Sequence, residues 1–216
     1  MDQVAGKLVA IFDLGGPVVA ALLVVSVVTL AVLLYKLWQF AAAHVGRHQA
    51  LRAAVAAWDA GDRARAREAL ARSGSYLAPL VEGAFDGQDR VRLQAMAEER
   101  FVQLERGFRY LDSVAQLAPL LGLFGTVLGM IEAFQSLQEA GAQVDPSILA
   151  GGIWVALLTT AVGLVVAMPT ALALAWFEGR MEQERVVADA LILTAVAPSK
   201  VQHSRETGAD VVHARV

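Results

Sequence analysis

Three long, mostly apolar stretches with at most one charged residue each constrain this chain more than any other feature of its sequence. Residues 17–34 and 148–177 contain no charged side chain, and residues 114–137 contain one, Glu132. About 20 apolar residues in a helix cross the hydrocarbon layer of a bilayer, which is roughly 30 Å thick. The sequence therefore predicts an all-α, polytopic membrane protein with three transmembrane helices. The alternative, buried helices of a soluble protein, fits such long uncharged runs poorly.

The distribution of basic residues predicts the orientation of these helices. The segment from Lys36 to Arg109 contains one Lys and eleven Arg, whereas the connection over residues 138–147 contains neither. Loops rich in Lys and Arg stay in the cytoplasm. We therefore expect the long segment and the C-terminus in the cytoplasm, and the N-terminus and the short connection outside.

The N-terminus carries Asp2 and Asp13 and lacks the basic region and cleavage site of a secretory signal, so we expect it to be retained. The third apolar run is about 45 Å long as a helix, which predicts that it tilts or projects from the membrane.

The predicted intervals are a periplasmic segment 1–16, transmembrane helix 17–38, cytoplasmic helical domain 39–112, transmembrane helix 113–137, periplasmic loop 138–147, transmembrane helix 148–177 and cytoplasmic helical tail 178–216.

The residues between the first two spans predict helices that extend the membrane bundle into the cytoplasm. Strong helix formers dominate, with breaks at residues 59–62 and 73–75, and Asp62 is the expected N-cap of the second helix. A further helix from about Asp89 is expected to run into the second span without a break. The helix of the third span is expected to continue to Ala195.

Several classes of function are disfavoured by composition. The chain has no Cys, a net charge of -3 and a pI near 5.8, so neither thiolate chemistry nor nucleic acid binding is expected. No phosphate-binding loop, catalytic triad or zinc-protease motif is present, which predicts neither an enzyme nor a cofactor. His44 and His48 have the i, i+4 spacing of metal ligands, but no third ligand stands nearby, so no metal site is predicted.

Small residues mark one face of each of the last two spans. In the second span they are Gly122, Gly125 and Gly129, with Thr126 on the same face. In the third span they are Ala156, Thr160, Gly163 and Ala167, with Thr159 beside them. Such faces permit close helix packing. Because each also carries a hydroxyl group, the second interpretation is a narrow, weakly polar path for water or a proton.

Three further residues in these spans are unusual. Glu132 is the candidate intramembrane carboxylate, and charged residues in a span usually face an interior or a cavity. It lies toward the outer end of its span, so reaching the outer surface is the simpler explanation. Pro119 and Pro169 each remove a helical hydrogen bond, which predicts a kink or local flexibility.

The second and third spans also resemble a known family. Residues 117–135, LAPLLGLFGTVLGMIEAFQ, and residues 151–169, GGIWVALLTTAVGLVVAMP, resemble the MotA/TolQ/ExbB proton-channel family, and its ExbB-like and TolQ-like branches most of all. About 50 residues carry these motifs. The remainder of the chain matches the family in its three-span layout.

This resemblance implies an energy-transducing role in the bacterial inner membrane. Five copies would form a ring whose second and third spans line a pore, with the first span toward the lipid. The pore would hold the single spanning helices of an ExbD-like or TolR-like partner, whose membrane Asp takes up and releases the proton. Thr126 and Thr160 match the pore-lining threonines of the family. The receiver of the mechanical work would be a TonB-like or TolA-like protein.

One departure from the family weakens part of this expectation. ExbB-like sequences commonly have Glu before the ALLTTAVGL segment, where this chain has Val155. Either the Asp of the partner and the two threonines suffice for proton conduction, or this member conducts poorly.

Two other functions remain open, a flagellar-stator-like channel subunit and a non-conducting membrane scaffold. The stator hypothesis is less favoured, because the stator branch of the family resembles a four-span protein and this chain has three predicted spans.

Overall fold

The computed structural model describes residues 2–140 and 146–199, with side chains for residues 16–139, 147 and 149–199. The described residues form helices and no strand, which confirms the all-α prediction. The middle of the predicted connection 138–147 and the tail beyond residue 199 lie outside the described residues. The helices are α1 (Asp2–Ala42), α2 (Gln49–Asp59), α3 (Arg63–Ala71), α4 (Ala78–Phe85), α5 (Arg90–Glu105), α6 (Phe108–Ala140) and α7 (Pro146–Val196).

Three of these helices are long and apolar enough to cross a membrane. The candidate spans are Gly16–Ala42 in α1, Phe108–Glu139 in α6 and Leu149–Val196 in α7. The prediction of a three-span membrane protein is therefore confirmed. The second candidate span begins five residues earlier than the predicted interval 113–137 and therefore includes a further carboxylate, Asp112. The helix of the third span continues without interruption to Val196, as expected.

Helix α1 contains a break at its Gly-Pro pair. Gly16 has φ 65° and ψ -170°, outside the helical region, and Pro17 follows it. The ring of a proline disfavours the helical conformation of the preceding residue, and glycine tolerates a positive φ without steric cost. The chain thus changes direction one residue before the predicted start of the first span.

The chain forms two compact units, and the first holds most of the membrane-spanning residues. It contains the chain up to Tyr35 together with Gly107–Trp176. Its helices also meet through polar groups, because the hydroxyl oxygens of Thr29 and Tyr110 lie 3.3 Å apart. Lipid supplies no hydrophobic force between spans, so close packing has to hold them together. The buried side chains at the centre of this packing are Leu22, Val114, Ala118, Val166 and Ala167.

The second unit contains Lys36–Arg106 and the described residues from Phe177 to 199. Aromatic contacts organise it: the rings of Phe40 and Phe177 meet edge to face at 5.0 Å, and those of Trp58 and Phe85 stack at 3.9 Å. The indole nitrogen of Trp58 donates a hydrogen bond of 3.0 Å to the carbonyl oxygen of Ala195. This buried indole joins α2 to the end of α7 and has its one polar atom satisfied.

Aspartate side chains begin two of the short helices in this unit. Asp62 accepts a hydrogen bond of 3.0 Å from the backbone amide of Arg65, which confirms it as the N-cap of α3. Asp89 accepts one of the same length from the amide of Val91 at the start of α5. Each carboxylate satisfies an amide that has no partner within its helix.

The prediction of one continuous helix from Asp89 into the second span is wrong. Helix α5 ends at Glu105, and Gly107 adopts φ 94° before α6 begins. Glycine is the residue that ends a helix in this left-handed conformation most easily. The carbonyl oxygen of Leu104, which loses its helical donor, accepts a 2.8 Å hydrogen bond from the buried Nζ of Lys36. Helix α4 is a further helix that the sequence pattern did not predict.

Candidate functional site

The small-residue faces of α6 and α7 pack directly against each other, and we call this contact the α6–α7 seam. A Cβ added to Gly122 would lie 2.9 Å from the carbonyl oxygen of Thr159, and one added to Gly163 would lie 2.6 Å from that of Ala118. A Cβ on Gly129 would lie 3.0 Å from the Cβ of Ala156. The glycines therefore allow the two backbones to approach more closely than larger residues would permit.

Thr159, one of the three threonines predicted to line an ion path, lies inside the seam. Its side chain is buried, and its hydroxyl lies 3.0 Å from the carbonyl oxygen of Gly122 and 2.7 Å from that of Ala156. A Cβ on Gly125 would lie 2.6 Å from this hydroxyl oxygen. In this position Thr159 joins the two helices and leaves no exposed hydroxyl surface.

Thr126 and Thr160 lie beside the seam and are partly exposed. Each follows a buried seam residue by one position, Gly125 and Thr159. One residue turns a helix by about 100°. The seam contacts show that α6 and α7 run antiparallel, because Gly122 meets Thr160 while Gly129 meets Ala156. In antiparallel helices both turns lead to the same side of the seam.

The two hydroxyls differ in their hydrogen bonds. Thr126 donates to the carbonyl oxygen of Leu123 at 2.6 Å. The buried Oγ1 of Thr160 has no hydrogen-bond partner among the described residues. The hydroxyl of Thr159 donates a hydrogen bond to the carbonyl oxygen of Ala156. This oxygen lies four residues before Thr160 and is the acceptor that a threonine at position 160 commonly uses. The Thr160 side chain is thus partly exposed beside the seam, while its hydroxyl oxygen is covered by the chain and has no described partner.

The remaining predicted residues are more dispersed. Glu132 is exposed, and Val155 is half-buried on α7. Helices α6 and α7 continue through Pro119 and Pro169 as single helices. The kinks, the pore-lining role of the threonines and the role of Glu132 all stay predictions.

A buried polar network in the second unit was not predicted from the sequence. The imidazole of His48 lies 3.0 Å from the hydroxyl of Ser75 through Nδ1 and 2.7 Å from Oε2 of Glu184 through Nε2. Tyr76 donates its hydroxyl to the same carboxylate oxygen at 2.8 Å. All of these groups except Tyr76 are at most 5% exposed. A buried carboxylate requires such partners, and the members of this network come from three separate segments of the chain.

The electrostatics of this network favour a fixed arrangement. Burial and the hydrogen bond to the Glu184 carboxylate raise the pKa of Tyr76 far above its ordinary value, so the phenol stays protonated and remains a donor. The hydroxyl of Ser75 also accepts the backbone amide of Leu77 at 3.2 Å. Although Ser, His and Glu are the residue types of a nucleophilic triad, this Ser is buried. We infer that the network locks the start of α2 and the loop before α4 onto α7.

The two histidines with i, i+4 spacing have different surroundings in this fold. His48 directs both ring nitrogens into the network, while His44 is exposed, with its Nδ1 3.0 Å from the carbonyl oxygen of Ala42. No group of three His, Cys, Asp or Glu side chains suited to a metal occurs among the described residues. No sequence signal marked the network, because its members are separated by 27 and 136 positions.

Comparison with known proteins identifies relatives over the same helices. Residues 58–196 match the profile of the MotA/TolQ/ExbB proton channel family. Biopolymer transport protein ExbB-like 1 of Synechocystis is 33% identical over 163 residues, covering 71% of this chain and 64% of that protein. Biopolymer transport protein exbB1 of Vibrio cholerae is 43% identical over 72 residues, covering 33% of this chain and 32% of that protein.

A relative from the second branch gives a similar match. Tol-Pal system protein TolQ of Haemophilus influenzae is 39% identical over 84 residues, which cover 38% of this chain and 36% of that protein. In each of these alignments the chain spans less than two thirds of the length of the relative.

Proposed function

Because the chain belongs to the MotA/TolQ/ExbB proton channel family, we propose that it is the pore-forming subunit of a motor driven by the proton-motive force. The motor lies in the bacterial inner membrane and is of the ExbB/TolQ type. It acts through an ExbD-like or TolR-like partner with a single span and a membrane Asp, and it energises a TonB-like or Tol-Pal-like system.

The observation that carries this proposal is the position of Thr126 and Thr160. Both hydroxyl-bearing residues lie on the same side of the α6–α7 seam, and the hydroxyl of Thr160 has no partner among the described residues. A hydroxyl that faces a shared axis can hold water or contact a protonatable group of a partner. Glycines and Thr159 occupy the seam itself, so packing and conduction use different faces of the same two helices.

The proposed assembly is a homopentamer with α6 and α7 around the pore and the span of α1 toward the lipid. Large apolar side chains on the outer faces of α7, such as Leu157 and Val165, are 61% and 71% exposed in the single chain. Lipid or neighbouring copies would cover them in the membrane. The N-terminus lies in the periplasm and the C-terminus in the cytoplasm, as the positions of the basic residues predict.

Proton flux into liposomes tests the pore assignment. The chain is reconstituted with its ExbD-like partner, and flux is followed with an internal pH-sensitive dye under an imposed potential. We expect Thr160→Val and Thr126→Val to reduce flux toward that of liposomes that contain the partner alone. The matched control is Thr170→Val, because Thr170 is buried on the same helix and donates its hydroxyl to Val166. Flux equal in all three variants and the wild type would contradict the assignment.

Two further measurements separate the alternatives. A non-conducting scaffold predicts no flux above background in the wild type, although the complex assembles. A stator-like subunit predicts that the cytoplasmic segment contacts a flagellar rotor, which cross-linking in cells would detect. The departure at Val155 is tested by Val155→Glu: a large gain in flux would mean that this member conducts poorly without the acidic residue, whereas unchanged flux supports conduction through the threonines and the Asp of the partner.

A further inference from the structure

The candidate span in α6 contains a carboxylate that shares the helix face of Thr126. Asp112, Pro119 and Thr126 are spaced by seven residues, and each step of seven displaces a side chain by only about 20° around the helix. Asp112 therefore lies within about 40° of Thr126. It is about 21 Å from Thr126 along the axis, at the end of α6 that joins the Arg-rich segment.

The other carboxylates of this span lie on a different side of the helix. At 100° per residue, Glu132 and Glu139 lie about 120° and 140° from Thr126 around the helix axis. The face of Gly125 and Gly129, which packs against α7, lies between them and Thr126. Glu132, the carboxylate that the sequence singled out, is therefore badly placed to act with the threonines. Asp112 shares their side.

The Asp112 side chain is exposed, and its Oδ1 accepts a 2.7 Å hydrogen bond from the amide nitrogen of Gln116. Among the described residues, no ion pair joins it to Lys or Arg. A carboxylate bonded to one neutral amide and otherwise open retains lone pairs for water or a proton.

A second polar group lies between Asp112 and Thr126 on the same face. Pro119 has no amide hydrogen, so the carbonyl oxygen of Ala115, four residues earlier, lacks its helical donor. Ala115 lies about 20° from Thr126 around the helix. Ala115 and Pro119 are both half-buried. The face therefore carries a carboxylate, a free carbonyl and a hydroxyl in sequence.

We propose that Asp112 is the proton-accepting residue at the cytoplasmic end of the path on which Thr126 and Thr160 lie. A proton released beside the threonines passes through water, near the Ala115 carbonyl, and protonates the Asp112 carboxylate, which then releases it to the cytoplasm. No bond other than O–H forms or breaks, and the carboxylate is regenerated. This inference rests on the proposed function, because it assigns a residue to the same path.

The test compares proton flux in the reconstituted complex with the partner. Asp112→Asn removes the proton acceptor, and we expect flux to fall toward that of liposomes that contain the partner alone. Asp112→Glu keeps a carboxylate and should restore flux. The matched control is Glu132→Gln, which removes a carboxylate from the same helix on the other side and should leave flux unchanged.

The outcomes distinguish this inference from the proposed function. Wild-type flux that depends on Thr160 but is unchanged in Asp112→Asn would overturn the inference and leave the function standing. Loss of flux in Glu132→Gln together with normal flux in Asp112→Asn would overturn it as well. If Asp112→Asn reduces assembly, measured by co-purification of the partner, flux per assembled complex decides. Flux per complex that falls in Asp112→Asn and recovers in Asp112→Glu supports the inference, and flux per complex equal to that of the wild type in Asp112→Asn contradicts it.

Discussion

Replacing Gly163 by Ala tests whether the α6–α7 seam requires its glycines. A Cβ at this position would lie 2.6 Å from the carbonyl oxygen of Ala118 and 3.2 Å from the Cα of Gly122, whereas ordinary contacts begin near 3.4 Å. Both neighbours are backbone atoms, so no side chain can rotate away. The matched control is Gly151→Ala on the same helix, where an added Cβ would have no neighbour within 4 Å.

The size of the effect follows from these distances. Restoring normal contact requires the helices to separate locally by up to about 0.8 Å, and a gap of this size forfeits roughly a quarter to a half of the dispersion energy of the affected contacts. It would also stretch the hydrogen bond between Thr159 and Gly122, now 3.0 Å long. Overpacking of this kind costs about 1–3 kcal/mol, partly offset by the gain of up to about 1 kcal/mol when Ala replaces a helical Gly.

We therefore expect Gly163→Ala to lower the free energy of unfolding by up to about 2 kcal/mol, and Gly151→Ala to leave it unchanged or raise it by up to about 1 kcal/mol. The assay is unfolding of the purified chain in mixed micelles with increasing sodium dodecyl sulfate, followed by circular dichroism. The reasoning is refuted if the two variants have the same stability, since the seam would then tolerate a methyl group between two backbones.

Three other substitutions probe the second unit by the same unfolding assay. Glu184→Ala should cost about 3–5 kcal/mol because it leaves buried His48 and Tyr76 without their shared acceptor, while exposed Glu182→Ala should change stability by less than about 0.5 kcal/mol; equal effects would argue against the network. Trp58→Ala should cost about 3–5 kcal/mol through loss of the stack on Phe85, and Trp58→Phe clearly less, so the reverse order would reject the packing argument. Asp62→Ala should cost about 1 kcal/mol and Asp62→Asn much less, because Asn keeps the capping oxygen; a loss in both variants would mean that the charge, and not the cap, matters.

Much of the fold follows from local features of the chain. The three apolar runs predict three spanning helices because every backbone polar group of a helix in lipid has to bond within that helix. Asp62 predicts the start of α3, since a short carboxylate reaches the free amides of a first turn. The break at Gly107 is a local signal that was available and was outweighed by the strong helix formers around it, which is why α5 and α6 were expected to be one helix.

The roles of Thr159 and Thr160 depend on the tertiary structure. These neighbours have the same side chain in the same apolar run, and the spacing of small residues predicts Thr160 within the small-residue face and Thr159 beside it, the reverse of what the structure shows. Packing of α6 against α7 fixes the rotation of each helix, which buries Thr159 against Gly122 and leaves Thr160 beside the seam. The positions of Asp112 and Glu132 also depend on the tertiary structure. The packing of α7 on one face of α6 determines on which side of the seam each carboxylate lies.

The buried network around His48 also depends on tertiary structure, here between residues far apart in the sequence. Local sequence fixes which segments are helical, because capping, propensity and apolar runs act within a few residues. Ser75 and Glu184 reach His48 only when distant segments of the chain pack together, 27 and 136 positions away. Local rules carry no information about such encounters, since they arise from which apolar faces bury one another and which buried polar groups then require partners.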